Sequence, residues 1–145
     1  MPKLLASSSY AATPQTPHWQ LALGSEGVVQ QLGDISQSIR IILTTPKGSD
    51  PLRPDFGCDA LNYLDLPLPA ARPHLAREIR AALAWEPRIR VEGISIEPGG
   101  SHAAGQAAVQ SAIQSGGRAI AHITWSTADL AIRGQTTSVS LGGAA

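Results

Sequence analysis

Cysteine is almost absent from this 145-residue sequence, in which Cys58 stands alone. A single thiol excludes an internal disulfide and a cysteine-based metal site, and no base near it in sequence would make it a nucleophile. We therefore expect Cys58 to pack as a small apolar residue. The histidines also lack a metal-ligand spacing, so we expect no metal and no other cofactor; they are His18, His74, His102 and His122.

An excess of charge of one sign is lacking too, because eleven Lys and Arg residues balance eleven Asp and Glu residues. This balance leaves no excess of positive charge to bind a phosphate backbone, so we expect no nucleic-acid partner. No apolar run is long enough to cross a bilayer, and the apolar part of the N-terminus is too short for a signal peptide. These absences predict a soluble protein made in a cytoplasm, without a membrane partner.

Aromatic residues are scarce at 4%, whereas hydrophobic residues of all kinds reach 43%. The core must therefore be built from Leu, Ile, Val and Ala, and the length fits one domain with loose ends. A serine run at residues 7–9 and prolines at 14 and 17 predict a flexible N-terminal tail over residues 1–17. Residues 18–145 are expected to form the single domain, beginning with a short strand over residues 18–23.

Two helices are predicted from apolar residues at helical spacing. The first begins at Asp34, an N-cap that Gln37 completes as a capping box, and it ends at Thr44 and Thr45 before Pro46. The second covers residues 71–85, with Pro73 in its first turn, and a proline at position 87 stops it at Glu86. A short helix over residues 59–66 is expected between the two.

The apolar period changes from 3.6 to 2 after the second helix, which predicts a strand. Ile89 and Val91 have the opposite parity to Ile94 and Ile96, so a β-bulge is expected at residues 92–93. Residues 118–127 form a further strand, and residues 130–132 and 139–141 supply one or two short β segments. The fold class is therefore α+β, with two main helices packed on one face of a small, mostly antiparallel β-sheet.

Two charged corners that each contain a proline, residues 53–57 and 85–89, are the most informative features of the chain. Proline fixes one backbone dihedral and removes a hydrogen-bond donor, so each corner presents its charges on a rigid turn. Glu86 follows a tryptophan and Asp55 precedes a phenylalanine. A pair of carboxylates beside aromatic rings is the minimum that a glycosidase needs.

Structural ion pairing explains these carboxylates better than catalysis does. Arg88 lies two residues from Glu86, and Arg53 lies two residues from Asp55. A guanidinium at that distance is expected to keep each carboxylate ionised, whereas a general acid must stay protonated. Serine-nucleophile and phosphate-loop signatures are also missing, so we expect no enzyme. A peptidoglycan-degrading, lysozyme-like tail enzyme using Glu86 or Asp55 remains the alternative.

Four separate blocks carry a further signal: residues 34–40, residues 42–46 with Gly48, residues 53–57, and residues 86–89 with the sequence Glu-Pro-Arg-Ile. In their order and spacing these blocks resemble the small baseplate wedge proteins of contractile-tailed bacteriophages. That family has relatives in the baseplates of type VI secretion systems and of phage-tail-like bacteriocins. The resemblance covers residues 33–97 best and the C-terminal strands only in general pattern.

The resemblance implies a structural, non-catalytic protein of the virion tail baseplate, assembled in the cytoplasm of the bacterial host. Its partners would be the larger wedge subunits, whose helical bundle it clamps, and the tail-sheath protein. Tail tube or hub proteins are further candidates. The partner-binding residues that it implies are Glu86, Pro87 and Arg88, with Arg53 and Asp55 of the first corner as additional candidates. Residues 138–141 would offer the β edge on which the first ring of sheath subunits is built. The sequence leaves open whether the parent particle is a phage, a bacteriocin or a secretion machine.

Overall fold

The computed structural model describes residues 17–24, 27–99 and 118–142. The tail predicted over residues 1–17 lies outside this description apart from its last residue. Residues 101–117, whose Ala-, Gly-, Gln- and Ser-rich sequence predicts a loop with a possible strand, also lie outside it. The chain divides into two compact units, Met1–Ser38 and Ile39–Ala145. The extent predicted for the tail and for the single domain stays a prediction.

The first unit contains a short β-hairpin. Strand β1 (Trp19–Leu21) pairs antiparallel with β2 (Val28–Gln30), so the strand predicted at residues 18–23 is present in shortened form. Its partner, β2, is not predicted from the sequence. Gly24 and Gly27 both have positive φ, at 75° and 117°, and glycine adopts this conformation without a Cβ clash.

Helix α1 (Leu32–Thr44) ends where proline at position 46 predicts, but it begins two residues before Asp34. The capping box is therefore wrong: Asp34 lies in the first turn and is buried, with 1% of its surface exposed. Gln31, with φ of 55°, precedes the helix, and its carbonyl accepts the Ile35 amide at 3.2 Å. The Gln37 side chain instead donates to the Leu21 carbonyl at 2.7 Å.

The second unit carries helix α2 (Leu68–Ala82), which continues as a 3₁₀ turn over Leu83–Trp85. Its end agrees with the prediction, but its start lies three residues earlier than residue 71. Proline at position 69 falls in the first turn, where no amide donor is needed, so it starts the helix rather than preceding it. Pro73 consequently lies inside the helix and not in its first turn. The predicted short helix is a 3₁₀ turn over Ala60–Tyr63.

Among its described residues the second unit also has three antiparallel strands, in the order β3 (Ile89–Pro98), β4 (Ala119–Thr127) and β5 (Gln135–Leu141). The register shifts between Val91 and Gly93, which confirms the bulge that the change of parity predicts. No strand forms at residues 130–132. The Asp129 side chain accepts the Ala131 amide at 3.1 Å and makes a local turn there, and Leu130 has φ of 59°.

The core of the second unit is aliphatic around one tryptophan. Trp125 and Ile123 on β4 are 1% and 0% exposed, and Leu75 and Ile79 on α2 are both fully buried. The Trp125 indole donates to Thr137 Oγ1 at 3.0 Å, which satisfies its polar atom inside the core. The α+β class is confirmed, with all described strand pairs of the two sheets antiparallel.

Candidate functional site

The second corner links the end of α2 to the start of β3. The Glu86 amide donates to the Leu83 carbonyl at 3.1 Å and closes the last 3₁₀ turn. Glu86 then adopts extended backbone, with φ of −106° and ψ of 90°. Proline at the next position excludes the helical conformation for Glu86, so this sequence forces helix to end and strand to begin within three residues.

A two-pronged ion pair lies at this corner. Arg88 Nε is 2.6 Å from Glu86 Oε1, and Arg88 Nη2 is 2.7 Å from Glu86 Oε2. The Arg88 backbone amide also lies 3.3 Å from Glu86 Oε1. The Glu86 side chain is only 7% exposed and that of Arg88 is 27% exposed. The buried carboxylate therefore holds the planar guanidinium in one orientation with part of it accessible.

The backbone around Arg88 is held by the sheet. The Arg88 carbonyl accepts the Ala128 amide at 2.8 Å, just beyond the β3–β4 ladder. The ion pair holds the Arg88 guanidinium, and the hydrogen bond from Ala128 holds the Arg88 backbone. Sequence analysis predicted the pairing of Glu86 with Arg88, and the structure brings the two residues together.

The first corner is organised differently from the prediction. Arg53 Nε lies 3.1 Å from Asp50 Oδ2, so the partner of Arg53 is Asp50 and not Asp55. A hydrogen bond from the backbone amide of Leu52, followed by the nearby guanidinium, holds the pKa of Asp50 below its ordinary value. Asp55 is exposed and makes no hydrogen bond or ion pair to any of the described residues.

Close backbone packing sets the position of the first corner. The Cys58 amide donates to the Thr45 carbonyl at 2.8 Å, and Pro46 and Cys58 form an isolated parallel β-bridge. Gly57 has φ of +113°, and a Cβ there would lie 2.5 Å from the Thr45 carbonyl oxygen. Only glycine fits this approach, so the glycine that ends the block is a structural requirement. Cys58 is buried as predicted, at 3% exposed.

The two corners meet through aromatic rings, which sequence analysis missed. The Phe56 and Trp85 rings pack edge to face with centroids 6.0 Å apart. The Arg53 guanidinium lies over the Phe56 ring, 4.6 Å from its centroid. Phe56 is the single phenylalanine of the chain. That scarcity is the one sequence signal for the contact, since no spacing predicts a pair nearly thirty residues apart.

We call this composite the corner surface, defined as Arg53, Phe56, Trp85, Pro87 and Arg88. Trp85 is 48% exposed despite its contact with Phe56, and proline at position 87 is exposed. Such a combination of an exposed aromatic, an oriented arginine and a rigid proline is typical of protein-binding surfaces. The neighbouring Leu52 side chain, 91% exposed, adds apolar area.

Neither carboxylate has the surroundings of a catalytic acid. Both Glu86 oxygens accept hydrogen bonds from Arg88, and Asp55 lies on the exposed side of its turn. Over residues 17–24, 27–99 and 118–142, no group of three or more His, Cys, Asp or Glu residues could hold a metal ion. Within the same part of the chain, none of the helices has the length and apolar character that spanning a bilayer requires.

Comparison with known proteins gives three concordant matches. A family model described as baseplate wedge protein gp25 matches residues 29–116. Baseplate protein W of Escherichia phage P2 is 38% identical over 77 residues, which are 49% of this chain and 64% of that protein. The chain thus spans less than two thirds of the length of this curated relative.

A solved structure gives the third match. A crystal structure described as a tail lysozyme from Geobacter sulfurreducens superposes with a TM-score of 0.56 and 27% identity. The match covers 77% of this chain and 92% of that one. The resemblance noted in the four sequence blocks is therefore confirmed at the level of the family.

Proposed function

Because this chain belongs to the baseplate wedge protein gp25 family, we propose that it is a structural component of a contractile-tail baseplate. It resides in the tail baseplate of the virion or a related particle and is assembled in the cytoplasm of the bacterial host. Its partners are the larger wedge subunits and the tail-sheath protein.

The observation that carries the docking role is the burial of Glu86 beneath Arg88. A carboxylate 7% exposed cannot be the group that meets a partner, so its role is to orient Arg88, which is 27% exposed. An arginine held in this way loses little conformational entropy on binding and can meet carboxylates or helix C-terminal carbonyls of a wedge helical bundle. Glu86 is thus a positioning residue, and Arg88 is the contact residue.

The aromatic contact extends the docking surface to the first corner. Trp85 is the natural anchor, because large, half-exposed aromatic residues beside arginine dominate interface energies. Phe56 packs against Trp85 and so holds the two corners together, and the Arg53 guanidinium lies over the Phe56 ring. Asp55, exposed and without a partner among the described residues, contributes at the rim.

The sheath-facing part of the proposal concerns β5. Within the three-stranded sheet β5 pairs with β4 alone, so its other edge is open among the described residues. Residues 138–141 lie on that edge, where an incoming chain can complete the unpaired amides and carbonyls. We keep this edge as the candidate for the first ring of sheath subunits.

The enzymatic alternative has one observation in its favour, the similarity to a structure described as a tail lysozyme. Both side-chain oxygens of its candidate acid, Glu86, accept hydrogen bonds from Arg88, and the Glu86 side chain is only 7% exposed, so this carboxyl group is poorly placed to meet a substrate. A turbidity assay on peptidoglycan with the purified protein, Glu86→Gln and Asp55→Asn decides the matter. No lysis by any of the three supports the structural function, whereas lysis that either substitution abolishes would overturn it.

Docking is tested by co-purification of wedge subunits with tagged Arg88→Lys. Lysine keeps a positive charge beside the buried Glu86 carboxylate, so the fold should survive, but it lacks the planar fork. We expect at least about a tenfold loss of wedge subunit recovered, since the oriented guanidinium is worth over 1.4 kcal/mol in such a contact. Arg90→Lys is the matched control, an exposed arginine two residues further on. Equal recovery with both variants would contradict docking through Arg88.

A further inference from the structure

The hairpin of the first unit turns a polar face toward α1. Gln20 Nε2 on β1 donates to Ser38 Oγ of the helix at 2.5 Å, and Gln37 Nε2 donates to Gln20 Oε1 at 3.2 Å. Val29, the cross-strand partner of Gln20, faces the same way, since a Cβ on Gly33 of α1 would lie 3.8 Å from Val29 Cβ. Hydrogen-bonded glutamine side chains therefore join the hairpin to the helix.

Apolar side chains occupy the opposite face of the hairpin. Successive side chains of a strand point to opposite faces, so Trp19 and Leu21 point away from the side that Gln20 faces. Leu23 follows at the same spacing, and the three side chains are 47%, 72% and 66% exposed. We call Trp19, Leu21 and Leu23 the hairpin row. This arrangement inverts the usual one, in which the apolar face of a hairpin lies inside and its polar face meets water.

The size of the hairpin row is that of a binding surface. Its three side chains expose on the order of 350 Å², and the largest apolar patch of a typical monomer measures about 300–600 Å². Patches of this size are often functional. A two-stranded hairpin is also marginally stable until its apolar face packs against another element. We therefore expect the hairpin row to be covered in the assembled state.

The hairpin row offers apolar contact and no full charge. The described residues of the hairpin, 17–24 and 27–30, include no Lys, Arg, Asp or Glu. Neither ion pairing nor electrostatic steering is available from these residues, so the affinity must come from burial of apolar surface. The complementary surface of the partner is consequently an apolar stripe without charges at its centre.

The area of the row favours a subunit of a larger assembly over a second copy of this chain. A stable interface buries about 800 Å² of each partner, which is roughly twice the exposed area of the row. Two copies joined through their rows alone would therefore form a weak dimer. A partner that is already held at another surface of the chain needs less area, because its second contact is intramolecular.

The dimensions of the row fit a helix. Trp19 and Leu21 are two residues apart in a strand, which places them about 7 Å apart, and residues i and i+4 of a helix lie about 6 Å apart. A helix is about 10–12 Å in diameter and so covers both strands, which are about 4.8 Å apart. With α1 on one face of the hairpin, a second helix on the other would complete a three-layer arrangement of helix, sheet and helix.

We propose that the hairpin row binds an amphipathic helix of another tail protein, whose apolar residues at positions i, i+4 and i+7 cover Trp19, Leu21 and Leu23. The identification of the partner as a tail protein rests on the proposed function. The inverted hairpin, the absence of charge and the preference for a helix rest on the described residues alone. The row shares no residue with the corner surface or with the β5 edge.

A photo-cross-link tests the identity of the occupant. Leu21 is replaced by benzoylphenylalanine in the full chain, which is then assembled into particles or wedge complexes. Arg133, in the exposed turn before β5, is replaced in the same way as the control. We expect position 21, and not position 133, to cross-link to a segment of another protein with apolar residues at helical spacing. Mass spectrometry of the cross-linked peptide identifies that segment.

Competition for incorporation measures the contribution of the row. Leu21→Ser removes a largely exposed leucine, so the free chain should fold, but the variant should enter the assembly about tenfold less than an equal amount of wild type. Leu66→Ser, which removes a leucine that is 44% exposed in the second unit, should enter as well as wild type. Equal incorporation of Leu21→Ser and wild type would contradict docking through the row.

The free chain must leave the row uncovered. Fluorine NMR of the full chain with 5-fluorotryptophan tests this, because the chain has three tryptophans and Trp19→Phe assigns one resonance. The Trp19 resonance should shift between H₂O and D₂O and stay constant with protein concentration, whereas that of Trp125, 1% exposed, should not respond to the solvent. A solvent-insensitive Trp19 would mean that the chain covers the row itself, and a concentration-dependent one that a second copy does. Either result would overturn the proposal.

The cross-linking outcomes separate this proposal from the proposed function. Incorporation of the labelled chain without a cross-link at position 21 would overturn the proposal and leave the structural role intact, as would a cross-link to the same chain or to a second copy. A wild-type chain that enters no particle would contradict the proposed function, and with it the identification of the partner. Docking through Arg88 is measured separately by co-purification, so the two surfaces succeed or fail independently.

Discussion

Replacing Arg88 by alanine removes the cation that covers a buried carboxylate. Glu86 Oε1 and Oε2 accept from Arg88 Nε and Nη2 at 2.6 and 2.7 Å, and the Glu86 side chain is 7% exposed. In Arg88→Ala both oxygens lose these two charge-assisted hydrogen bonds while remaining largely out of water. We expect the loss of stability to come more from leaving the Glu86 carboxylate buried without a cation than from losing the attraction itself.

The magnitude follows from the burial of the pair. Removing one partner of a fully buried ion pair costs about 3–5 kcal/mol. A fully exposed pair contributes about 0–1 kcal/mol. Arg88 is 27% exposed, so water can replace part of the hydrogen bonding that Glu86 loses with the arginine. We therefore predict that Arg88→Ala lowers the free energy of unfolding by about 2–3 kcal/mol, or the melting temperature by about 5–10 °C.

Urea unfolding of wild type, Arg88→Ala, Glu86→Gln and the double variant measures the interaction directly. The double-mutant cycle should give a coupling energy of about 2 kcal/mol, and the double variant should be more stable than Arg88→Ala. Arg90→Ala, at an exposed position of β3, should change stability by less than about 0.5 kcal/mol. A coupling energy below about 0.5 kcal/mol would refute the inference that Glu86 orients Arg88.

Three further predictions concern the first corner and the core. Gly57→Ala should lower the free energy of unfolding by about 2–4 kcal/mol, since φ is +113° and the new Cβ would lie 2.5 Å from a carbonyl oxygen. Gly48→Ala, with φ of +80° and open space around the new Cβ, should lower it by about 1–2 kcal/mol. Equal melting temperatures of the two variants would contradict this difference. Burial raises the pKa of Cys58, so Ellman's reagent should react at least about a hundredfold more slowly with the folded than with the urea-unfolded protein, and rapid native labelling would count against burial. The pKa of Asp50 is held low by the Leu52 amide, so its stabilisation is present above about pH 4 and lost as pH falls through the folded pKa. Asp50→Asn should thus be less stable than wild type at about pH 7, and this difference should close as the pH falls through the folded pKa. A difference that stays unchanged in acid would exclude this explanation.

Local constraints on the backbone could be predicted from sequence, because each depends on residues close in the chain. Pro46 and Pro87 stop their helices where predicted. The change of apolar parity between Val91 and Ile94 predicts the bulge, because a regular strand would turn half its apolar side chains to the wrong face. The pairing of Glu86 with Arg88 belongs to the same group.

Choices between competing partners could not be predicted. Arg53 has carboxylates at positions 50 and 55, and only the fold of the loop decides for Asp50. Asp34 has the residue type of an N-cap, but the positive φ of Gln31 starts the helix earlier and buries Asp34 in the first turn. In both cases sequence supplies the right residue type and tertiary structure selects its role.

Contacts between segments that are distant in sequence could not be predicted from it. The Phe56–Trp85 contact joins two corners between which the 3₁₀ turn and α2 lie in sequence, and no periodicity encodes it. The candidate site was therefore predictable as two separate corners, but its unity as one surface was not.

The central claim is that the corner surface docks onto a wedge subunit, and a photo-cross-link at its anchor tests this most directly. Trp85 is replaced by benzoylphenylalanine, an aromatic residue of similar size, in particles or wedge complexes assembled with the full chain, and Arg133 is replaced in the same way as the control. We predict a cross-link from position 85 to the larger wedge subunit and none from position 133. Incorporation of the labelled chain without any cross-link at position 85 would contradict docking through this surface.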